Sequence, residues 1–392
     1  MSTSPNADRK FTIIKRKSSP TPVLSPSSTR ADLSKNYTGK SSPVTTDDCR
    51  IPRNQIMVKA SVEKILFVTL IAGLIGLPLF AQAQDKPLKK ISWGVTSLSA
   101  SNWIPWIAKD AKIYEKYGLD VQLILVKGSG QTSAAILGGS LFAAPVALPQ
   151  LMLADLGGAD LINVAHTVPG VQSKLLVKSE IRRPEELKGR KIATSSLGSL
   201  GDFLFKYIIR KHGMDPNRDV TWISIGTPSE RLQALSSGVV DAADLSYPAD
   251  AQGERLGFKV LIDARKEVVY PSMSVVTRRK SIVEDRDTVM RMVRSHVEGI
   301  AYFKAHKDFS MKVLSKYLRM NDKDLLEGSY EIFKQDFISV PYPIMKGLEA
   351  TYDYVATSRP EIRGRKPEEF MDPSFIAELD KSGFIKKLYE QK

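Results

Sequence analysis

Between Ile91 and Lys280 the apolar positions repeatedly change period. ISWGVTS (Ile91–Ser97) has the composition of a short strand and runs into the small polar loop SLSASN. Trp103, Ile104, Ile107, Ala111 and Ile113 then recur at helical spacing, and Gly118 ends that helix. LDVQLILVKG (Leu119–Gly128) is almost continuously apolar, as a buried strand would be, and SGQTSAAILGG opens a further helix. FAAPV, ALPQLMLADLGG and ADLINVAHT extend the series as strand, helix and strand. Strands alternating with helices predict an α/β protein with a mostly parallel sheet.

SKLLVKSE (Ser173–Glu180) reads as a strand that leaves this unit, and a second α/β unit follows. PEELKGRKIATSS gives a short helix, a turn and a strand. GSLGDFLFKYIIRKHG is an amphipathic helix that ends at His212-Gly213. VTWISI is a strand, and TPSERLQALSSGVVDAADL is a helix capped by Thr227 or Ser229 and then a strand. GFKVLID closes the unit, YPSMSVVTRRK (Tyr270–Lys280) is again extended, and the pattern is helical from Asp285 onward. The second unit is thus inserted into the first, through extended segments near Val177 and Val275. Two lobes joined by two crossings make a hinge with a cleft between them. The expected boundaries are 88–178 for the first part of lobe 1, 179–270 for lobe 2, and 271–392 for the rest of lobe 1 with the C-terminal helices.

Upstream the pattern is different. In MVKASVEKILFVTLIAGLIGLPLFAQAQD, Lys59 and Lys64 precede an apolar run from Ile65 to Phe80, and Ala81-Gln82-Ala83 follows. This is the layout of a secretory signal peptide over residues 57–83, and the run is short for a spanning helix. Residues 1–56 hold 10 Ser, 7 Thr and 6 Pro with almost no apolar periodicity, a composition expected to stay disordered. The expectation is that translation starts at Met57 and that the mature chain begins near Gln84, free in the periplasm.

The formal charge of +14 is divided evenly about Gln84, so the folded part is only mildly basic and shows no clustered Lys/Arg of the kind that binds nucleic acid. The lone Cys49 lies upstream of the signal, which excludes disulfides, a thiol nucleophile and a zinc–thiolate site in the exported part. The four histidines form no metal set: His296 and His306 read as solvated helix residues, His212 as a helix C-terminal cation, and His166 as a satisfied, partly buried histidine at a strand end. G-x-S-x-G, H-E-x-x-H and G-x-G-x-x-G do not occur in the chain, so no catalytic constellation and no cofactor are expected.

Two stretches carry a family likeness. KLLVKSE…PEELKGRKIATSSLGSLGDFLFKYIIRKHGMDP with ERLQALSSGVVDAADLSYPADAQ, and ISWGVTS…NWIPWIAKDAKIYEKYGLDVQLILVKGSGQTSAAILGGS, resemble solute-binding proteins of ABC importers. The group in question takes nitrate, taurine, aliphatic sulfonates and thiamine-pyrimidine precursors. The resemblance implies a type II periplasmic binding protein with two Rossmann-like lobes on a two-strand hinge. It also implies a small-molecule ligand, anionic or heteroaromatic, and an ABC permease and ATPase as partners, with the receptor itself monomeric. Fungal thiamine-pyrimidine synthases resemble the same group. They and a membrane-tethered sensor are the alternatives.

Ligands of open α/β sheets sit at the carboxyl ends of strands, where loops lead into helix N-termini. Three loops qualify. TSLSASN offers Ser97, Ser99 and Asn102, although Ser101 or Asn102 could merely cap the next helix, and Trp103 in its first turn could line the cleft. KGSGQT offers Ser129 and Gln131. SSLGSLGD, in the inserted lobe, offers Ser196, Gly198, Ser199, Leu200 and Asp202, the last of which could equally cap its own helix. By the resemblance Tyr247, in DLSYPAD, faces the same cleft and could close over a ligand.

Overall fold

A computed structural model describes residues 87–345 and 348–390. The Ser/Thr/Pro-rich extension, the signal-like segment at Met57–Ala83 and Cys49 lie outside the described residues. No described helix is long and apolar enough to cross a membrane.

The strands are β1 (Lys89–Val95), β2 (Leu119–Leu125), β3 (Leu161–Val168), β4 (Lys174–Val177), β5 (Lys191–Thr194), β6 (Thr221–Ser224), β7 (Ala242–Leu245), β8 (Lys259–Asp263) and β9 (Ser272–Arg278). In lobe 1, β1 pairs with β2 in parallel and β3 with β9 antiparallel. Single bridges join the two pairs: Trp93 to Ala143 and Ala144 to Val276. The expected FAAPV strand thus shrinks to two residues. Pro145, which follows them, has no N–H to extend the ladder. Ala144 packs so closely on Gly94 that a Cβ there would overlap it. Lobe 2 is a five-stranded sheet in the order β6-β5-β7-β4-β8.

Neither sheet is purely parallel. In lobe 2, β4 runs antiparallel to both its neighbours, and in lobe 1, β9 runs antiparallel to β3 and to the Ala144 bridge. Each reversed strand is the first one the chain builds after crossing between lobes. It therefore starts at the cleft, where the other strands end. Val177 is the last residue of β4 and Val275 lies within β9, so the chain changes lobe before reaching either. The crossings are 169–173 and 264–271.

Trp93, Trp103, Trp106, Ile300 and Phe303 belong to one apolar cluster, which packs β1, the helix Trp103–Asp110 and the long helix Arg286–Ala305 together. A second cluster runs unbroken from lobe 1 into lobe 2, taking in Leu151, Phe203, Tyr270 and Val355. Phe203 meets Tyr354 edge-on, with centroids 4.6 Å apart. On this side the lobes are fused by buried apolar surface.

The structure buries two histidines, and His296 departs from the sequence reading. His296 is buried, stacked on Trp93, and its Nε2 lies 2.8 Å from Thr167 Oγ1. It lies on the inner face of Arg286–Ala305, which the sequence alone did not separate from the solvated face. His166 is fully buried too, and its Nδ1 accepts from Ile344 N–H at 2.7 Å. Burial lowers their pKa values to about 4 and about 3. Both stay neutral when folded but take up protons when unfolded, near the ordinary histidine pKa of about 6.5. Their stabilisation is therefore complete above pH ~6.5 and is lost as pH falls toward those folded values. Each histidine contributes about 1.4 kcal/mol per pH unit within that window. Urea midpoints measured down the acid limb should fall steeply, and a His296→Gln variant should fall less steeply.

Candidate functional site

Loops from both lobes meet around a cavity of about 120 Å³. Lobe 1 contributes Ser97, Ser99, Ser101 and Asn102 after β1, Gly128 and Ser129 after β2, and Ser272 and Met273 at the start of β9. Lobe 2 contributes Ser195, Ser199, Leu200 and Gly201 after β5, and Asp244 and Ser246 at the end of β7. Gln172 and Ser173 come from the first crossing. A larger depression of about 910 Å³ lies at the opposite ends of β1 and β2 and shares no residue with this set.

Of the expected residues, Ser97, Ser99, Asn102, Ser129, Ser199 and Leu200 line the cavity. Neither Ser99 nor Asn102 makes a side-chain cap to the helix that follows. Ser99 Oγ instead lies 2.8 Å from Ser101 Oγ, and Asn102 Oδ1 is buried with no hydrogen-bond partner. Ser129 Oγ accepts from Ala147 N–H at 3.0 Å. Ser199 is the N-cap of Leu200–Lys211, accepting from Asp202 N–H.

The others sit elsewhere. Trp103 is a core residue: it is fully buried, it packs on Phe303, and its Nε1–H donates to Ser310 O at 2.9 Å. Its position in the first turn suggested the cleft, but that face of the turn packs onto the helices after Asp285. Gln131 points outward and is exposed. Asp202 is occupied by its own helix, accepting from Gly198 N–H at 2.9 Å and pairing with Lys206 at 2.8 Å. Ser196 presses on Gly128 of lobe 1, where a Cβ would overlap its hydroxyl, and Gly198 approaches Gln150. Both lie at the seam between the lobes and do not line the cavity.

Tyr247 also belongs to the seam. It is a lobe 2 residue packed against the lobe 1 core, and its carbonyl accepts from Ala100 N–H at 3.3 Å. Its hydroxyl fills the space where Gly328, in the helix Lys323–Asp336, lacks a side chain. Arg255 pairs with Asp322 at 2.8 Å and Lys127 with Glu230 at 3.6 Å, both between lobes. These contacts tie the two lobes together. A mid-helix Gly→Ala change ordinarily stabilises by about 1 kcal/mol. Gly328→Ala should instead wedge Tyr247 outward, and small-angle scattering should show a larger radius of gyration than wild type.

Among the cavity residues that sequence reasoning did not single out are its two charged ones, Arg231 and Asp244, which are 3% and 5% exposed. Arg231 Nε donates to Asp244 O at 2.5 Å, and Nη1 donates to Ile225 O at 3.1 Å and Gly226 O at 2.6 Å. Asp244 accepts from Ser173 Oγ, and its Oδ2 lies 4.0 Å from Arg231 Nη2. Burial pushes the Asp244 carboxyl up from its usual range, and Arg231 opposes that shift. A signal was available: Arg231 lies in the first turn of a helix beside Leu232 and Leu235, where a solvated arginine belongs on the opposite face.

The NMT1/THI5-like family model matches residues 103–309, just over half of the chain. The chain belongs to the NMT1/THI5-like family. YtlA of Bacillus subtilis (strain 168), whose name describes it as a binding protein, is 20% identical over 279 residues, 69% of this chain and 83% of that one. Among solved structures, a protein of Bordetella bronchiseptica RB50 superposes with TM-score 0.69 at 18% identity, over 76% of this chain and 98% of that one. The alkanesulfonate-binding protein SsuA of Xanthomonas axonopodis pv. citri, bound to MOPS, gives 0.58 at 18%, over 76% and 98%. The desulfurization enzyme DSZB gives 0.53 at 15%, over 75% and 99%. This NMT1/THI5-like chain therefore has the α/β fold of type II periplasmic binding proteins, a fold that also carries an enzyme. Fold alone does not choose between binding and catalysis.

Proposed function

We propose that this protein is the extracytoplasmic solute-binding receptor of an ABC importer. It captures a small organic solute between its lobes and delivers it to a permease and ATPase complex. One observation carries the reading: strand-end loops from both lobes bring hydroxyls, an unpaired amide oxygen and a buried charge pair onto a single cavity. A ligand held there touches both lobes and favours their closed arrangement, and it shifts the equilibrium only by its preference for that state. The signal-like segment at Met57–Ala83 supports export to the periplasm, and the family supports a small-molecule ligand. The cavity lining contains neither histidine nor cysteine among the described residues, so it holds no Ser–His or Cys–His nucleophile pair. This favours binding over the catalysis that DSZB performs on the same fold.

The test is thermal-shift screening of the full chain against small solutes, followed by mass spectrometry of the bound compound. A receptor gains stability with the logarithm of ligand excess and returns the compound unchanged. A chemically altered compound would point to the enzyme reading instead.

A further inference from the structure

We infer that the cleft selects net-neutral solutes that carry a hydrogen-bond acceptor beside a donor, such as the edge of a primary carboxamide or a urea, over carboxylates and sulfonates. The inference rests on the receptor reading and narrows it. Arg231 and Asp244 are the only charged side chains among the described residues lining the cavity, and they cancel. Arg231 cannot swing toward an anion, because its Nε and Nη1 are held by three backbone carbonyls. Only Nη2 is free to donate. It lies 4.0 Å from Asp244 Oδ2, beyond hydrogen-bond reach, so the two present a donor and an acceptor side by side.

Among the described residues, the neighbouring lysines each face a carboxylate. Lys206 is taken by Asp202 at 2.8 Å, Lys127 by Glu230 at 3.6 Å, and Lys174 by Asp250 at 3.2 Å. The N-terminus of Ser129–Leu137 adds a partial positive charge, whereas Asp202 offsets that of Leu200–Lys211. A second observation is independent of charge: Asn102 Oδ1 is a buried acceptor without a partner. Together with Asp244 Oδ2, it asks the ligand for donors. A deprotonated acid has only acceptors on its charged end. It would leave both oxygens unpaired and place a second negative charge beside Asp244. A carboxamide matches the Arg231–Asp244 pair, with its oxygen on Arg231 Nη2 and an N–H on Asp244 Oδ2.

The experiment uses matched pairs with the full chain at neutral pH: acetamide against acetate, benzamide against benzoate, and urea against methanesulfonate. Melting temperature and calorimetric titration are read for each. The neutral member should bind at least about tenfold more tightly in every pair that binds. Equal or tighter binding of the anions, or no binding by any member, overturns the inference. Asp244→Asn keeps the side chain's shape and removes its negative charge. It should reverse the preference, so that the anions gain at least about tenfold while the carboxamides lose. An unchanged preference in that variant also overturns the inference. Anion binding in wild type would sink the ligand class and leave the receptor standing. A broad solute library without a single hit would sink the receptor reading itself.

Discussion

Arg231→Leu should lose about 3–5 kcal/mol of stability, read as a fall in the urea midpoint at unchanged slope, because it strands a buried carboxylate. The guanidinium also caps the carbonyls of Ile225, Gly226 and Asp244, and leucine leaves all of them without that donor. The Asp244 carboxyl, already pushed up by burial, would then lose the guanidinium that opposes that shift and be pushed up further. The variant should become more stable as pH is lowered moderately from neutral, against the trend set by His166 and His296. The double change Arg231→Leu/Asp244→Leu should recover part of the loss, since a buried pair replaced by apolar groups often costs little. If Arg231→Leu cost under about 1 kcal/mol, the pair would be solvated and not buried.

Gly201→Ala should have the second large effect, and its sign is the test. Gly201 stands in the first turn of Leu200–Lys211, where alanine ordinarily stabilises by about 1 kcal/mol. Here the added methyl would overlap both Oδ2 and Cγ of Asp244. That carboxylate is buried and tied to Ser173, so it has little freedom to yield. Overpacking of this kind costs about 1–3 kcal/mol. The displaced carboxylate should also reduce solute affinity by at least about tenfold. Chemical denaturation and calorimetric titration of the same variant would show both effects. A stabilised variant with unchanged affinity would place Asp244 outside the site.

The alternation of apolar period was enough to read the α/β class, because strands and helices there follow local pattern. Ser97, Ser99, Asn102, Ser129 and Ser199 reach the cavity because β1, β2 and β5 end there. The sequence was blind to strand direction. Nothing in KLLV or SMSVVTR marks β4 and β9 as reversed, since direction follows from which lobe the chain has just left. Side-chain direction within the first helical turn was equally hidden. Trp103 and Asn102 are adjacent, yet one packs into the lobe core and the other faces the cleft. Arg231 and Asp244 are 13 residues apart and meet only through the pairing of β5 with β7 and the helix packed on them.

The account stands most directly on a blocked-cleft comparison. The measurement is the melting-temperature increase that the tightest-binding solute gives to wild type and to Ser97→Trp. Ser97 lines the cavity from the lobe 1 loop and is half-buried, so the ring can be accommodated without disturbing a core. The account predicts a clear shift for wild type and none for Ser97→Trp, with both unliganded proteins melting at similar temperatures. An equal shift in the two proteins would contradict it and move the solute out of this cleft.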